Sequence, residues 1–305
     1  MSTTGRAHTL SIAIPTSIVP ASHPHELRTY IVGTLARAAA VYSIDEIVLY
    51  DDHSQSAAQH AAAADFLTHV LTYLDAPPHL RRRMFPLHNN LKNAGLLPSL
   101  DVPSHPRAGA ATLWREGVAV GADEQRGEGT LVDVGLGRLT RVDSEVPEGA
   151  RVTVRFASAE AGAGRGTSAA ADQIPGTAVS ADEPRETAGI YWGYQVRVAQ
   201  GLQEVFTECA WDGGYDVTVG TSERGEPVAA THGRWPKFAR ALVVFGGPDG
   251  LEGVLKGEEE LREAVTEVKE LFDFWVDVCP ARGTREVRTE EAVWAGLAGL
   301  GTVML

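Results

Sequence analysis

The chain has 305 residues, 44% of them hydrophobic, with 40 Asp and Glu against 27 Lys and Arg for a formal net charge of −13. This excludes a disordered chain and fits one large α/β domain or two smaller ones. No run approaches the roughly 20 apolar residues of a membrane span, the start (MSTTGRAHTL) lacks a secretory core, and only Cys209 and Cys279 are present, which suits a reducing, intracellular compartment.

Residues 9–14 (TLSIAI) and 46–50 (EIVLY) read as buried strands. Between them, ELRTYIVGTLARAAAVY places Leu27, Tyr30, Ile31, Leu35 and Ala38 at helical spacing, with Pro24 suited to the first turn. Strand, helix and strand make a parallel βαβ unit. A second helix over 59–74 gathers Phe66, Leu67, Val70, Leu71 and Leu74 on one face. Residues 76–100 then carry four Lys or Arg and no Asp or Glu, either a footprint for phosphates or a solubilising loop.

From about residue 102 short pieces (GVAV, GTLVDVG, RLTRVD, ARVTVRF, GTAVSAD) alternate with Gly- and Pro-bearing turns, the texture of a small barrel or sandwich. Residues 157–172 form a low-complexity loop within it. At 188 the α/β texture returns. A helix through YWGYQVRVAQGLQEVF is followed by strands YDVTVG and ALVVFGG, an acidic helix over 252–270 with a Leu/Val seam, strand FDFWVDV and a last helix, EEAVWAGLAGL. The expected organisation is a discontinuous α/β domain (1–101 and 188–305) with an inserted β domain (102–187).

Three of the returning strands end in loops of small or special residues: VGTSERGEP (219–227), FGGPDGLE (245–252) and VCPARGTREVRTEEA (278–292). Open α/β sheets bind ligands at strand carboxyl ends. A lone Gly-rich turn usually only turns the chain, but three in succession suggest one pocket. The second loop is not G-x-G-x-x-G, and no G-K-[ST] supplies a phosphate-gripping lysine, so a dinucleotide or triphosphate cofactor is disfavoured. Glycine backbone with little charge suits a nucleoside held by peptide groups.

The segments LSIAIPTSIVP, ELRTYIVGTLARAAAVYSIDEIVLYDD, GLLPSLDVPSHPR, REGVAV, GIYWGYQVRVA, GYDVTVGTSERG, ALVVFGGPDGLE and VCPARGTREVRTEEA, in this order from about residue 9 to 300, resemble the RNA methyltransferase family of the SPOUT superfamily, in its archaeal and eukaryotic branch with an OB-like insertion. The chain departs from it in the acidic helix and the Ala/Gly-rich loop. The resemblance implies a trefoil-knotted parallel-sheet α/β domain that binds S-adenosylmethionine, an inserted OB-like β-barrel, a homodimer, and no metal or membrane. It favours a ribosomal RNA base as substrate, with uridine N3 the candidate position, and the nucleus or nucleolus as location in a eukaryote, otherwise the cytoplasm.

Carried over residue by residue, the cofactor contacts are Thr221 and Ser222 in the first loop, Gly246, Gly247 and Gly250 in the second, and Cys279, Pro280, Gly283 and Thr289 in the third. Methyl transfer to a ring nitrogen needs chiefly aligned placement, with a base of secondary importance. Glu223 is the base candidate by motif position, against a plain solvated carboxylate. Arg28, near the first helix start, is the preferred substrate-phosphate contact, against a surface ion pair. Arg224 could approach the nucleotide or pair across a dimer. Arg37 and the Arg81, Arg82, Arg83 run are further candidates for RNA. Cys279 reads as a small buried residue rather than a covalent nucleophile, since no thiolate-activating neighbour is evident, and Thr289 doubles as a helix N-cap. Trp114 and Phe156 are nearly the only aromatics that the inserted domain offers for base stacking. Two rivals remain: a catalytically weak RNA-binding scaffold, and a nucleotide-dependent oxidoreductase disfavoured by the missing fingerprint.

Overall fold

A computed structural model describes residues 5–107, 109–123, 129–165 and 173–304. In chain order the elements are β1 (Thr9–Pro15), α1 (His25–Val41), β2 (Glu46–Tyr50), α2 (Ala57–Asp75), α3 (Pro78–Met84), β3 (Trp114–Ala122), β4 (Thr130–Asp133), β5 (Leu139–Val142), β6 (Arg151–Arg155), β7 (Gln173–Val179), α4 (Glu183–Ala188), β8 (Gln195–Ala199), α5 (Leu202–Thr207), β9 (Val217–Pro227), β10 (Arg240–Val244), α6 (Gly250–Val254), α7 (Glu259–Ala264), β11 (Phe274–Asp277) and α8 (Thr289–Gly301). The chain divides into two compact units: an α/β unit of His8–Leu74, Asn89–Leu100 and Tyr194–Leu305, and a barrel unit of Met1–Ala7, Asp75–His88 and Asp101–Gly193.

In the α/β unit six strands form one parallel sheet in the order β11-β9-β10-β1-β2-β8. Parallel strands are covered on both faces, which is why the central strands are apolar along most of their length instead of alternating. Ala13, Val48, Tyr50, Leu242 and Val244 enter one core with Leu202 and Val205 of α5, Leu251 and Val254 of α6 and Leu261 of α7. Ile12, Ile14, Ile47, Leu49 and Val243 alternate to the opposite face and are equally buried. On that face Val243 and Leu297 of α8 line a common small cavity, and Trp294 Nε1 of α8 donates to Thr34 O of α1 at 3.2 Å.

Two expectations fail in this unit. YWGYQVRVAQGLQEVF is not one helix. Gln195–Ala199 pairs in parallel with Glu46–Tyr50 as the edge strand, with Val196 and Val198 at strand period, and helix begins only after Gly201. The acidic 252–270 segment is likewise not continuous; it breaks into α6, α7 and a 3-10 turn at Val268–Leu271. The chain turns at Gly257, where a Cβ would lie 2.5 Å from the His53 side chain, and Val265 is extended. The apolar seam persists across the breaks, because Leu251, Val254, Leu261 and Val268 share one core.

The barrel unit closes in the order β3-β4-β5-β7-β6, with β5 and β7 the parallel pair. Val132, Val134, Val142, Val154, Phe156 and Ile174 fill it. A buried polar network accompanies this core. Arg151 sits between Asp75, at 2.7 Å, and Glu116, while Thr153 Oγ1 donates to Glu116 at 2.9 Å and Trp192 Nε1 to Thr153 at 3.1 Å. Such a network is expensive to leave half-satisfied. Within 157–172, a 3-10 turn at Ala161–Ala163 is formed, and residues 166–172 lie outside the described residues. Among the described residues no helix is long and apolar enough to cross a membrane.

Candidate functional site

The six parallel strands put their carboxyl ends along one edge, where successive turns can converge on a ligand. β9 does not simply stop in a loop, as its sequence suggested. Its pairing with β11 jumps from Gly220 opposite Trp275 to Glu226 opposite Val276, so residues 221–225 bulge out of the ladder. The bulge is pinned from beneath. Thr221 Oγ1, buried, donates to Val244 O at 3.0 Å, and Ser222 Oγ donates to Glu252 Oε1 at 2.7 Å. Thr221 and Ser222 therefore hold the β9 bulge against the turn that follows β10.

That turn is built on glycine for two different reasons. Gly250 has φ +68, a conformation that L side chains rarely adopt, and its N–H closes the turn onto Gly247 O at 3.0 Å. Gly246 and Gly247 are instead crowded: a Cβ on Gly246 would lie 2.8 Å from the backbone of Gly250 and Leu251, and one on Gly247 would lie 2.2 Å from Asp52 Oδ2. A branched residue at 246 would therefore first collide with its own turn. Tyr50, fully buried, donates to Phe245 O at 2.7 Å, and burial together with Asp52 and Glu258 holds its phenol protonated well above the ordinary range. Asp52 is itself buried, accepting from Ser17 Oγ at 2.6 Å and Ser54 Oγ at 2.8 Å. Asp52 thus ties the end of β2 to the segment after β1, and Tyr50 ties β2 to the end of β10.

The third segment is tied to the other two. Thr289 is not the N-cap of α8; Arg288 occupies that position, with its N–H donating to Glu291 at 3.0 Å. Thr289, the first residue of the helix, instead donates its Oγ1–H to Gly246 O at 2.9 Å. Arg282 bonds Glu223 in the β9 bulge and lies 3.6 Å from Asp277 at the end of β11. Asp277 also accepts from Cys279 N–H at 2.8 Å. Burial, and then Asp277, push the Cys279 thiol up, which opposes a thiolate nucleophile. Pro280 and Gly283 are exposed, and a Cβ on Gly283 would meet nothing within 4 Å.

The basic candidates fare differently. Arg28, half-buried in the first turn of α1, stacks its guanidinium 4.2 Å over Phe66, and burial pulls its pKa down. Arg37 spends its guanidinium on Ser99 O and Leu100 O, tying the 89–100 segment to α1, which is a structural duty. Arg224 is largely exposed, 3.9 Å from Glu252. Glu223, the base candidate, is exposed and paired with Arg282. In the barrel unit Arg81 Nε donates to Ala76 O at 2.9 Å, Arg82 is exposed, and Arg83 lies 3.4 Å from Asp133. Trp114 and Phe156 are buried at 7% and 2% exposure, so neither can stack on a base. Trp114 instead donates to Glu183 at 3.0 Å.

Sequence reasoning assigned no role to Asp52, Ser17, Tyr50, Glu252 or Arg282, all of which organise the edge. A signal was available for the first: EIVLYDD ends a buried parallel strand in two carboxylates, which is where such sheets place functional groups. Arg282 gave none, because its partners are 59 and five positions away in sequence and meet only in the fold.

Comparison with known proteins identifies the family. The family described as "Putative RNA methyltransferase" matches residues 9–300. The chain is 40% identical over 312 residues to the 28S rRNA (uridine-N(3))-methyltransferase of Mus musculus, covering 97% of this chain and 77% of that protein. The protein of the same name from Homo sapiens is 40% identical over 306 residues, covering 97% and 78%. An uncharacterized protein of Haloarcula marismortui is 30% identical over 304 residues, covering 96% of this chain and 98% of its own. The chain accordingly belongs to this family of RNA methyltransferases.

Proposed function

We propose that the protein transfers a methyl group from S-adenosylmethionine to N3 of a uridine in ribosomal RNA. The observation that carries the reading is 40% identity along 97% of the chain with proteins named for that reaction. When bound, the donor supplies an electrophilic methyl on a sulfonium, and the reaction is an in-line displacement. The residues at the carboxyl edge suit such a guest. Gly246, Gly247 and Gly250 form a turn without side chains, held by Thr221, Ser222 and Thr289. Asp51, Asp52 and Asp277, all buried, give the edge a negative character that complements a cationic sulfonium and ammonium.

In this reading the chain's own work is placement. The β9 bulge, the β10 turn, and Cys279, Pro280 and Gly283 wrap the donor, Arg28 holds the RNA backbone, and Arg224 reaches outward toward the nucleotide. Glu223, paired with Arg282, orients the bulge in preference to taking the N3 proton. The same reading includes a trefoil-knotted path through β9 to α8, a homodimer formed through the α/β unit, and action inside the cell, in the nucleus or nucleolus of a eukaryote. The barrel is OB-like in this proposal; its strand order and single parallel pair support that. With both aromatics buried, its capture of RNA falls to charge, with Arg82 and Arg83 the exposed contributors. Incubating the protein with methyl-labelled S-adenosylmethionine and ribosomal RNA tests the proposal: label must enter RNA, and its absence from RNA at saturating donor would refute it.

A further inference from the structure

At the start of α1 two side-chain N–H groups are buried without a hydrogen-bond partner in the chain: His25 Nε2 and Arg28 Nε. They gather at one ring. Arg28 lies 4.2 Å over Phe66, and the His25 imidazole meets the same ring edge-on, at 5.4 Å and 81°. The His25 tautomer follows from its neighbours. Asn93 bonds the Glu26 carboxylate, which can only accept, so the amide nitrogen faces this way. That nitrogen is 3.0 Å from His25 Nδ1, which must then accept, leaving the imidazole proton on Nε2. Thr29 leaves Nδ1 in that role by donating to His25 O at 2.8 Å.

A buried N–H without an acceptor is costly, and the face of Phe66 is a weak acceptor at most. No carboxylate is within ion-pairing distance of Arg28 among the described residues, although burial already penalises its charge. Two donors and an unneutralised guanidinium therefore await one acceptor carrying negative charge. α1 begins at the carboxyl end of β1, the edge that carries the β9, β10 and β11 segments, and Ser17 at that end bonds Asp52 beneath the glycine turn.

We propose that His25 and Arg28 form a phosphodiester subsite, in which His25 Nε2–H and the Arg28 guanidinium hold the non-bridging oxygens of one RNA phosphate beside the methylated nucleotide. Asn93 is a positioning residue that fixes the His25 tautomer, and Phe66 is the platform on which both donors rest. The proposal rests on the reading of the protein as an RNA methyltransferase and adds to it the group that grips the substrate strand.

The test is binding of a fluorescent single-stranded ribosomal RNA oligonucleotide by the full chain at pH 8 across a salt series, with donor affinity measured in parallel by calorimetry. Arg28→Gln is expected to weaken RNA about 10-fold and to lower the salt slope by about 0.7, the value for one phosphate contact on a single strand. His25→Phe keeps the ring contact but removes the N–H; it is expected to weaken RNA several-fold, with a smaller change of slope than Arg28→Gln. Both variants should bind the methyl donor as the wild type does. Arg28→Lys, which retains charge but loses Nε–H, is the variant to use if Arg28→Gln does not fold, and it should lose affinity at constant slope. Unchanged RNA affinity in folded His25→Phe and Arg28 variants overturns the subsite. So does a melting shift on adding inorganic phosphate that these variants abolish while RNA binding persists, since the site would then take a free anion. A wild type that binds the methyl donor but no RNA refutes the RNA methyltransferase reading, and the subsite falls with it.

Discussion

Replacing Gly247 by alanine isolates the Asp52 carboxylate, which joins the end of β2 to the segment after β1. The new Cβ would lie 2.2 Å from Asp52 Oδ2 and 2.9 Å from Ser17 Oγ, where ordinary contact begins at 3.4 Å. Gly247 is not among the glycines with positive φ, so the effect is steric and not a matter of backbone strain. The Asp52 oxygen must retreat by about 1.2 Å, the difference between 3.4 and 2.2 Å. That movement breaks its 2.6 Å bond from Ser17 and strains the 2.8 Å bond from Ser54. Hydrogen bonds to a charged group are worth roughly 1.5–3 kcal/mol each, and overpacking a rigid interior costs about 1–3 kcal/mol. Gly247→Ala should therefore lose about 2–4 kcal/mol, a fall in Tm of roughly 4–16 °C for a unit of this size by scanning calorimetry. Asp52→Ala should lose stability as well, yet the double variant should be more stable than the sum of the two, by at least about 1 kcal/mol, because the methyl then has somewhere to go. Gly247→Ala within about 0.5 kcal/mol of the wild type, or strict additivity in the cycle, would refute the reasoning.

Arg282→Gln removes the tie between the β9 bulge and the end of β11; as a partly exposed pair it should change stability by no more than about 1 kcal/mol, yet weaken calorimetric affinity for S-adenosylmethionine about 10-fold. Unaltered affinity would show that the tie does not order the donor site. Burial lowers the His105 imidazole to about 4, so the unfolded chain takes up the proton first, and stability that is complete above about pH 6.5 is lost as pH falls toward 4. The loss amounts to about 3 kcal/mol at most, and the melting profile of His105→Gln should fall less steeply over that interval; parallel profiles would contradict this. Sedimentation at micromolar concentration should give a dimer, twice 32.5 kDa, and a species at 32.5 kDa alone would rule out association through the α/β unit.

How far the sequence could be read depended on whether the information was local. The βαβ start and four of the barrel's strands formed where the pattern placed them, while β7 lies three residues earlier than GTAVSAD, at Gln173–Val179. β8 did not declare itself: QVRVA is short and embedded between segments with helical composition, and only pairing with β2 makes it a strand. The acidic segment failed for a related reason, since its seam is regular while its backbone breaks at Gly257 against His53, a neighbour about 200 positions earlier. At the site, glycine content located the turns but not why each glycine is there; Gly246 and Gly247 answer to crowding, Gly250 to backbone angle. Thr289 was legible as a helix-start residue, yet its hydroxyl serves Gly246 and not the helix end. The aromatics of the barrel could be counted in sequence, but their burial could not, and that burial withdraws base stacking.

The central claim is the atom that receives the methyl group. Its most direct test is mass spectrometry of nucleosides from ribosomal RNA incubated with the protein and S-adenosylmethionine, with Arg28→Gln as the control. The account predicts 3-methyluridine in the wild-type sample and a large reduction in the control. Methylation at another base or at a ribose hydroxyl, or none from a folded protein that binds the donor, would contradict it.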